Sequence, residues 1–182
     1  FATSLLNSTT MEVRMKIHQV IKPRNKSRHN RYCGPCALSI LTGQDTGECA
    51  GAIRALSGVT AVRGTYPQQL TDALECFGFK VIGANYPPLN NHWFRNNEAV
   101  HDVNGRLYEA KRNLKNAPTL AGWLKRNKDM RTSGRVFLLC VGWHWAVVSG
   151  RRYACGLTEN IVSIKNAPKR RARVSGVWEI SN

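Results

Sequence analysis

The hydrophobic period changes once along the chain. Up to about residue 127, apolar positions recur three and four residues apart; beyond about residue 135, they alternate or run on continuously. In the first part, Ala37, Leu38, Ile40 and Leu41 predict a buried helix that starts at Cys33 and stops at Gly43. A second helix is predicted over 49–56, with Ile53 and Leu56 inward and Gly58 as its stop. A third covers 67–77, opened by Pro67, with Leu70, Ala73, Leu74 and Phe77 on one face and Gly78 at its end. A short amphipathic helix over 118–127 sets Leu120 and Leu124 one turn apart. Strands are predicted over 79–82 and then over 135–141, 143–149, 152–155, 161–164 and 173–180, with Gly and Asn turns between the later ones. Residues 13–21 read as an arm or short strand, 86–97 as a loop carrying Trp93 and Phe94, and 98–117 shows no assignable pattern.

Helices first and strands last indicate an α+β fold, a helical half over about 33–127 packed on an antiparallel sheet over about 135–180. The expected organisation is an N-terminal arm, 1–21, followed by one domain, 22–182. Met11 reads as a native start, which makes residues 1–10 a foreign appendage. Those ten residues have neither a basic n-region nor a long apolar run, so they do not read as a secretory leader. The longest apolar run, 136–148, is too short to cross a bilayer and contains His144. No membrane span is expected.

Charge changes the picture next. The 182 residues are 42% hydrophobic, enough for one sizeable core, yet 27 Lys and Arg stand against 11 Asp and Glu, a net charge of +16. The cations fall in three blocks, over 14–31 (where there is no acid), 111–135 and 165–173. Such fields attract polyanions: nucleic acid, an acidic protein or an anionic surface. No aromatic-interleaved recognition motif accompanies them along the sequence, so nonspecific nucleic-acid contact is expected rather than a dedicated reader.

Six cysteines, at 33, 36, 49, 76, 140 and 155, allow three disulfides. Cys76 and Cys140 lie in apolar periodic runs, which favours reduced thiols acting as small core hydrophobes and a cytoplasmic compartment. Cys33 and Cys36 have zinc-ligand spacing, but no second pair follows, and no metal or cofactor is expected.

The candidate chemistry lies in two stretches, Arg31-Tyr32-Cys33-Gly34-Pro35-Cys36-Ala37-Leu38 and Gly142-Trp143-His144-Trp145-Ala146-Val147-Val148. A thiol at a helix start is biased toward the thiolate by free backbone N–H groups and the helix dipole. A histidine held on a neighbouring strand completes the minimum equipment of a cysteine nucleophile. Plainer readings stand beside this one: Cys33 as a buried structural thiol, and His144 as a satisfied core histidine. Cys33-Gly34-Pro35-Cys36 is also the redox motif of thioredoxins, in which the first thiol attacks a disulfide and the second resolves it. Residues 22–32, however, are basic and polar where that motif needs a buried strand, and no βαβ unit precedes it.

Over roughly 22–178 the chain resembles the papain-like cysteine peptidase superfamily, especially its bacteriocin-processing-like branch and small bacteriophage relatives. The likeness rests on Cys33, Gly34, Pro35, Ala37 and Leu38, on the run 143–148 around His144, and on the helix pattern Thr119-Leu120-Ala121-Gly122-Trp123-Leu124. It implies a papain-like fold and a cysteine-dependent acyl hydrolase or transferase, by default a peptidase, in host cytoplasm or virion. Cys33 would be its nucleophile and His144 its general base. The backbone N–H of Cys33 would serve the oxyanion. Asn30, then Asn25 and more remotely Gln19, would fill the side-chain oxyanion place. The orienting residue would be Asn160 or Glu159, because the strand after the histidine, 151–156, has no acid. Trp143, Trp145 and Trp93 would line the substrate groove. The implied substrate is a protein or peptide, acidic in view of the basic blocks. A scaffold of the same kind that binds through its charge with catalysis lost is the first alternative, and a Cys33/Cys36 oxidoreductase the second.

Overall fold

The computed structural model describes residues 15–22, 32–83, 99–101, 107–109, 117–132 and 134–182. The predicted loop 86–97 lies outside them, as do Asn25, Asn30 and Trp93.

Helix α1 (Cys33–Thr42) is buried without a break from Gly34 to Leu41, so its polar Ser39 is inside with the rest. A helix apolar on all sides needs neighbours on all sides. Helices α2 (Thr46–Ser57) and α3 (Pro67–Cys76) cover one flank, and the sheet covers another. The third flank is taken by residues 15–22, which run extended without forming a strand. Ile17 is 1% exposed, and His18 N–H donates to the Ile40 carbonyl at 2.8 Å, one of the orphan acceptors in the helix's last turn. Ile21 N–H reaches Ser39 Oγ, and Thr46 N–H closes onto the Ile21 carbonyl.

The predicted second helix begins three residues early, because Asp45 caps it: its carboxylate accepts from Gly47 N–H and Glu48 N–H at 2.7 and 2.9 Å. Leu56, expected inward, is 47% exposed. In α3, Leu70, Ala73 and Leu74 turn in, but Cys76 is exposed, which corrects its reading as a core thiol.

Strand β1 (Lys80–Gly83) follows, and a hairpin of β2 (Ala99–His101) and β3 (Leu107–Glu109) occupies the unassigned region. Helix α4 (Leu120–Arg126) is capped by Thr119 Oγ1, and a further short helix, α5 (Lys128–Thr132), continues the segment where a stop was expected. Arg131, one of the basic block, is buried: its guanidinium donates to the Gly150 and Leu124 carbonyls, and burial lowers its pKa.

The remaining strands are β4 (Val136–Val141), β5 (His144–Ser149), β6 (Arg152–Cys155), β7 (Val162–Ser163) and β8 (Val174–Ser181). With β1 they form a six-stranded antiparallel sheet in the order β1-β8-β4-β5-β6-β7. The α+β architecture expected from the change of period, helices first and antiparallel sheet last, is therefore present.

Both faces of the sheet are covered. Val136, Leu138, Trp145, Val147 and Ala154 turn toward α1–α3; Phe137, Leu139, Val141, Ala146, Val148 and Tyr153 turn toward α4. At the β8 edge of β4, Glu179, 6% exposed, is paired in two places with the Arg135 guanidinium. Asp45→Ala should lower the free energy of unfolding by about 1 kcal/mol in urea titration, while Asp45→Asn, which keeps the acceptor, should stay within a few tenths of wild type.

Candidate functional site

Cys33 is the first residue of α1 and is half-buried where the rest of the helix, Gly34 to Leu41, is sealed. The N-cap residue, Tyr32, provides no side-chain acceptor, and the first turn has no acid. The helix can lie this close to the chain beside it because its second residue is glycine. A Cβ on Gly34 would stand 2.0 Å from Thr65 Oγ1. Thr65 in turn accepts a 2.9 Å hydrogen bond at its carbonyl from Trp145 Nε1. Gly34, Thr65 and Trp145 thus connect the start of α1 to the start of β5.

The β4–β5 connection is two residues long, Gly142 and Trp143, both with positive φ (+52° and +62°). This is the arrangement of a primed hairpin turn. The register that follows is unbroken: Val141 opposes His144, Cys140 opposes Trp145, Leu139 opposes Ala146. His144 therefore shares a face with Val141, Ala146 and Val148, the α4 side, while Cys33 packs with the cluster that holds Trp145 and Val147. The two expected partners open neighbouring elements at one edge of the fold, with their side chains assigned to opposite faces of β5.

His144 is 9% exposed, and its Nε2 has no hydrogen-bond partner among the described residues. Burial, aided by the Lys169 ammonium, lowers its pKa to about 4, so the imidazole is neutral at pH 7. That is the protonation state of a general base, without the imidazolium an ion pair requires. Asn160, the proposed orienting residue, is exposed in the loop after β6, and no hydrogen bond joins it to His144 among the described residues. Extending the β5–β6 register by two residues sets Leu157 opposite His144, so this loop begins at the same end of the sheet. It then turns toward α1: Glu159 accepts Val20 N–H at its carbonyl and pairs with Lys22 at 2.8 Å.

The tryptophans divide. Trp145 is 3% exposed and packs on Trp178 with ring centroids 5.2 Å apart, so it is a core residue and lines no open groove. Trp143 is 68% exposed at the hairpin tip. Cys36, one turn into α1, is buried, and desolvation followed by the neighbouring Cys33 and Cys155 pushes its thiol up to about 12. Thr65 was not foreseen; its only signal was its place between Gly64 and the helix-opening Pro67. A scan against protein-family models finds no match, and neither does a search of the curated proteins or of the solved structures. Among the described residues, no helix is long and apolar enough to cross a membrane.

Gly34→Ala should cost about 1–3 kcal/mol in denaturant titration, since the methyl must displace Thr65 and strain its bond to Trp145. A second expectation concerns pH. The folded His144 pKa of about 4 lies below the unfolded value of 6.5, so folding favours the neutral ring. Its stabilising contribution is complete above pH 6.5 and is lost as pH falls toward 4, by an amount on the order of 2–3 kcal/mol. Denaturation at a series of pH values should show wild type losing more stability over that interval than His144→Gln.

Proposed function

We propose that the protein is a cysteine-dependent acyl hydrolase or transferase of papain-like type, acting on a protein or peptide through Cys33. The supporting observation is the position of this residue: the one accessible thiol on α1, at a helix start whose N-cap residue offers no side-chain acceptor, on the edge where β5 begins with a neutral histidine. In the proposed reaction the Cys33 sulfur attacks the substrate carbonyl carbon as its proton passes to the His144 imidazole. The oxyanion accepts from the Cys33 backbone N–H. Collapse breaks the C–N bond, the imidazolium returns its proton to the leaving amine, and water or an amine then cleaves the thioester. For this step the imidazole must reach the thiol from the α4 side, which takes a backbone change at the hairpin tip, since χ1 alone cannot carry a side chain across a strand. His144 is the first residue of β5, beside a two-residue turn, where a backbone change breaks the fewest ladder pairs.

A second reading rests on Cys36. Its thiol lies one turn beyond Cys33, is buried, and is electrostatically coupled to it. An exposed attacking thiol followed by a buried resolving thiol is what disulfide exchange requires.

The two readings separate by alkylation of the reduced full chain followed by mass spectrometry, with exposed Cys76 as an internal reference. Acyl chemistry predicts that Cys33, favoured by the helix start, reacts faster than Cys76 at pH 7 in wild type and in His144→Ala alike, that His144→Ala abolishes peptide cleavage, and that Cys36→Ser leaves cleavage intact. A Cys33–Cys36 disulfide, with activity lost in Cys36→Ser, would transfer the assignment to redox chemistry. Equal reactivity of Cys33 and Cys76 in wild type would end both.

A further inference from the structure

Among the described residues the positive charge is concentrated on one side of the sheet. Residues 15–22 and 33–79, the layer of α1–α3, carry four basic residues against four acids. The layer on the other face of the sheet, residues 117–132 and 164–173, carries eight exposed basic residues against one acid, besides buried Arg131. These two segments are one surface: Leu120 N–H and Ala121 N–H donate to the Ala172 and Arg170 carbonyls, and Val174 N–H donates to the Pro118 carbonyl. Lys125, Arg126 and Lys128 are exposed at the far end of α4, and Lys169, Arg170 and Arg171 at its near end. Two of these cations are held by backbone carbonyls. Lys169 Nζ donates to the Gly142 carbonyl at 3.3 Å, and the Arg170 guanidinium donates to the Ile164 carbonyl. Such bonds hold the side chains in place and leave their charge uncancelled.

Trp143 stands at the rim of this surface. Its neighbour Gly142 is clasped by the same segment, so closely that a Cβ there would lie 2.9 Å from Ala172 Cβ. Trp143 is 68% exposed and held at φ +62°. A bulky side chain in the left-handed region costs about 1–2 kcal/mol, and here no burial of the indole offsets it. The sequence has no basic-aromatic motif, but folding assembles one by bringing the hairpin tip against residues 169–172.

We propose that the α4 face with Trp143 at its rim binds single-stranded nucleic acid, a base stacking on the Trp143 indole while the basic side chains flanking α4 take the phosphates. A protruding ring can stack on an unpaired base, whereas the bases of a duplex are already stacked. Guanidinium groups suit phosphate oxygens through paired N–H donors. The six exposed cations named above are spread along a helix about 10 Å long, a span that a few consecutive nucleotides cover. An acidic protein would use the charge and ignore the indole, and a single indole buries too little area to hold a membrane surface.

The test is fluorescence anisotropy with a labelled oligo-dT of about 12 nucleotides, within the usual single-strand site size. The protein is the full chain carrying Cys33→Ala, so binding is read independently of thiol chemistry. Trp143→Asn should weaken binding about tenfold, and Trp143→Phe should retain most of it. Asn tolerates the left-handed backbone, so this variant should melt no lower than its parent, and lost binding cannot be assigned to misfolding. Arg170→Gln with Arg171→Gln should lower the slope of log affinity against log salt by about 1.4. The proposal is overturned if oligo-dT does not bind, or if duplex or polyglutamate binds as tightly and Trp143→Asn changes nothing. It is equally overturned if Trp143 governs binding to anionic phosphatidylserine vesicles and not to the oligonucleotide.

Discussion

Strand β5 is buried on both faces from His144 to Ser149, and that double burial fixes what its neighbours can be. Alternation sends Trp145 and Val147 toward α1 and His144, Ala146 and Val148 toward α4, with no solvent-facing side to absorb an error of register. Because Trp145 is inside, its indole N–H needs an acceptor, and it takes the Thr65 carbonyl. Thr65 then occupies the space over Gly34, and only glycine at the second position of α1 accommodates it. The position of the Cys33 thiol at the surface is thus set by a strand more than a hundred residues later. The same constraint puts an imidazole where water cannot reach Nε2, so the ring stays neutral through the physiological range.

The elements that were legible in the sequence are those whose period is enforced by a single buried face. Helix α3 and strands β4 to β6 appear close to where their patterns place them, and the glycine after α1 takes the left-handed conformation expected of a helix stop. What escaped the sequence depends on contacts between distant segments. Arg131 belongs to a basic run and has no local sign of burial; two carbonyls from the ends of α4 and β5 make its interior position tolerable. Cys76 keeps the helical spacing of a core residue yet falls on the exposed side, because the face of α3 is narrow and already filled by Leu70, Ala73 and Leu74. Trp143 and Trp145 looked alike in sequence, but alternation around a two-residue turn makes one a surface feature and the other a core residue.

The candidate site was legible in part for the same reason. Cys33 could be read from the helix that follows it, since a helix start is a local property. The partnership with His144 is a statement about two side-chain directions, and direction depends on register, which no motif encodes. The electrostatics follow the same division. A strongly basic composition was visible at once, but the joining of residues 117–132 and 164–173 into one basic layer, across the sheet from a near-neutral helical layer, required the fold to bring distant segments together.

The hairpin tip is where these threads meet. A two-residue connection in this register demands positive φ at both places, and natural sequences commonly answer with Asn and Gly. This chain supplies glycine first, where the Ala172 methyl group leaves no room for a side chain, and tryptophan second, where the backbone disfavours it. The glycine has a packing reason. The tryptophan has none: it is mostly exposed, it seals no core, and glycine or asparagine would relieve the strain. A local rule broken without structural return is what a functional position looks like, and the uncompensated cations of residues 169–171 beside it indicate the kind of function. Chemistry at Cys33 and binding at Trp143 would then be two uses of the two ends of one constraint: the register that buries Trp145 sets α1 in place on one side of the sheet and lifts Trp143 clear of it on the other.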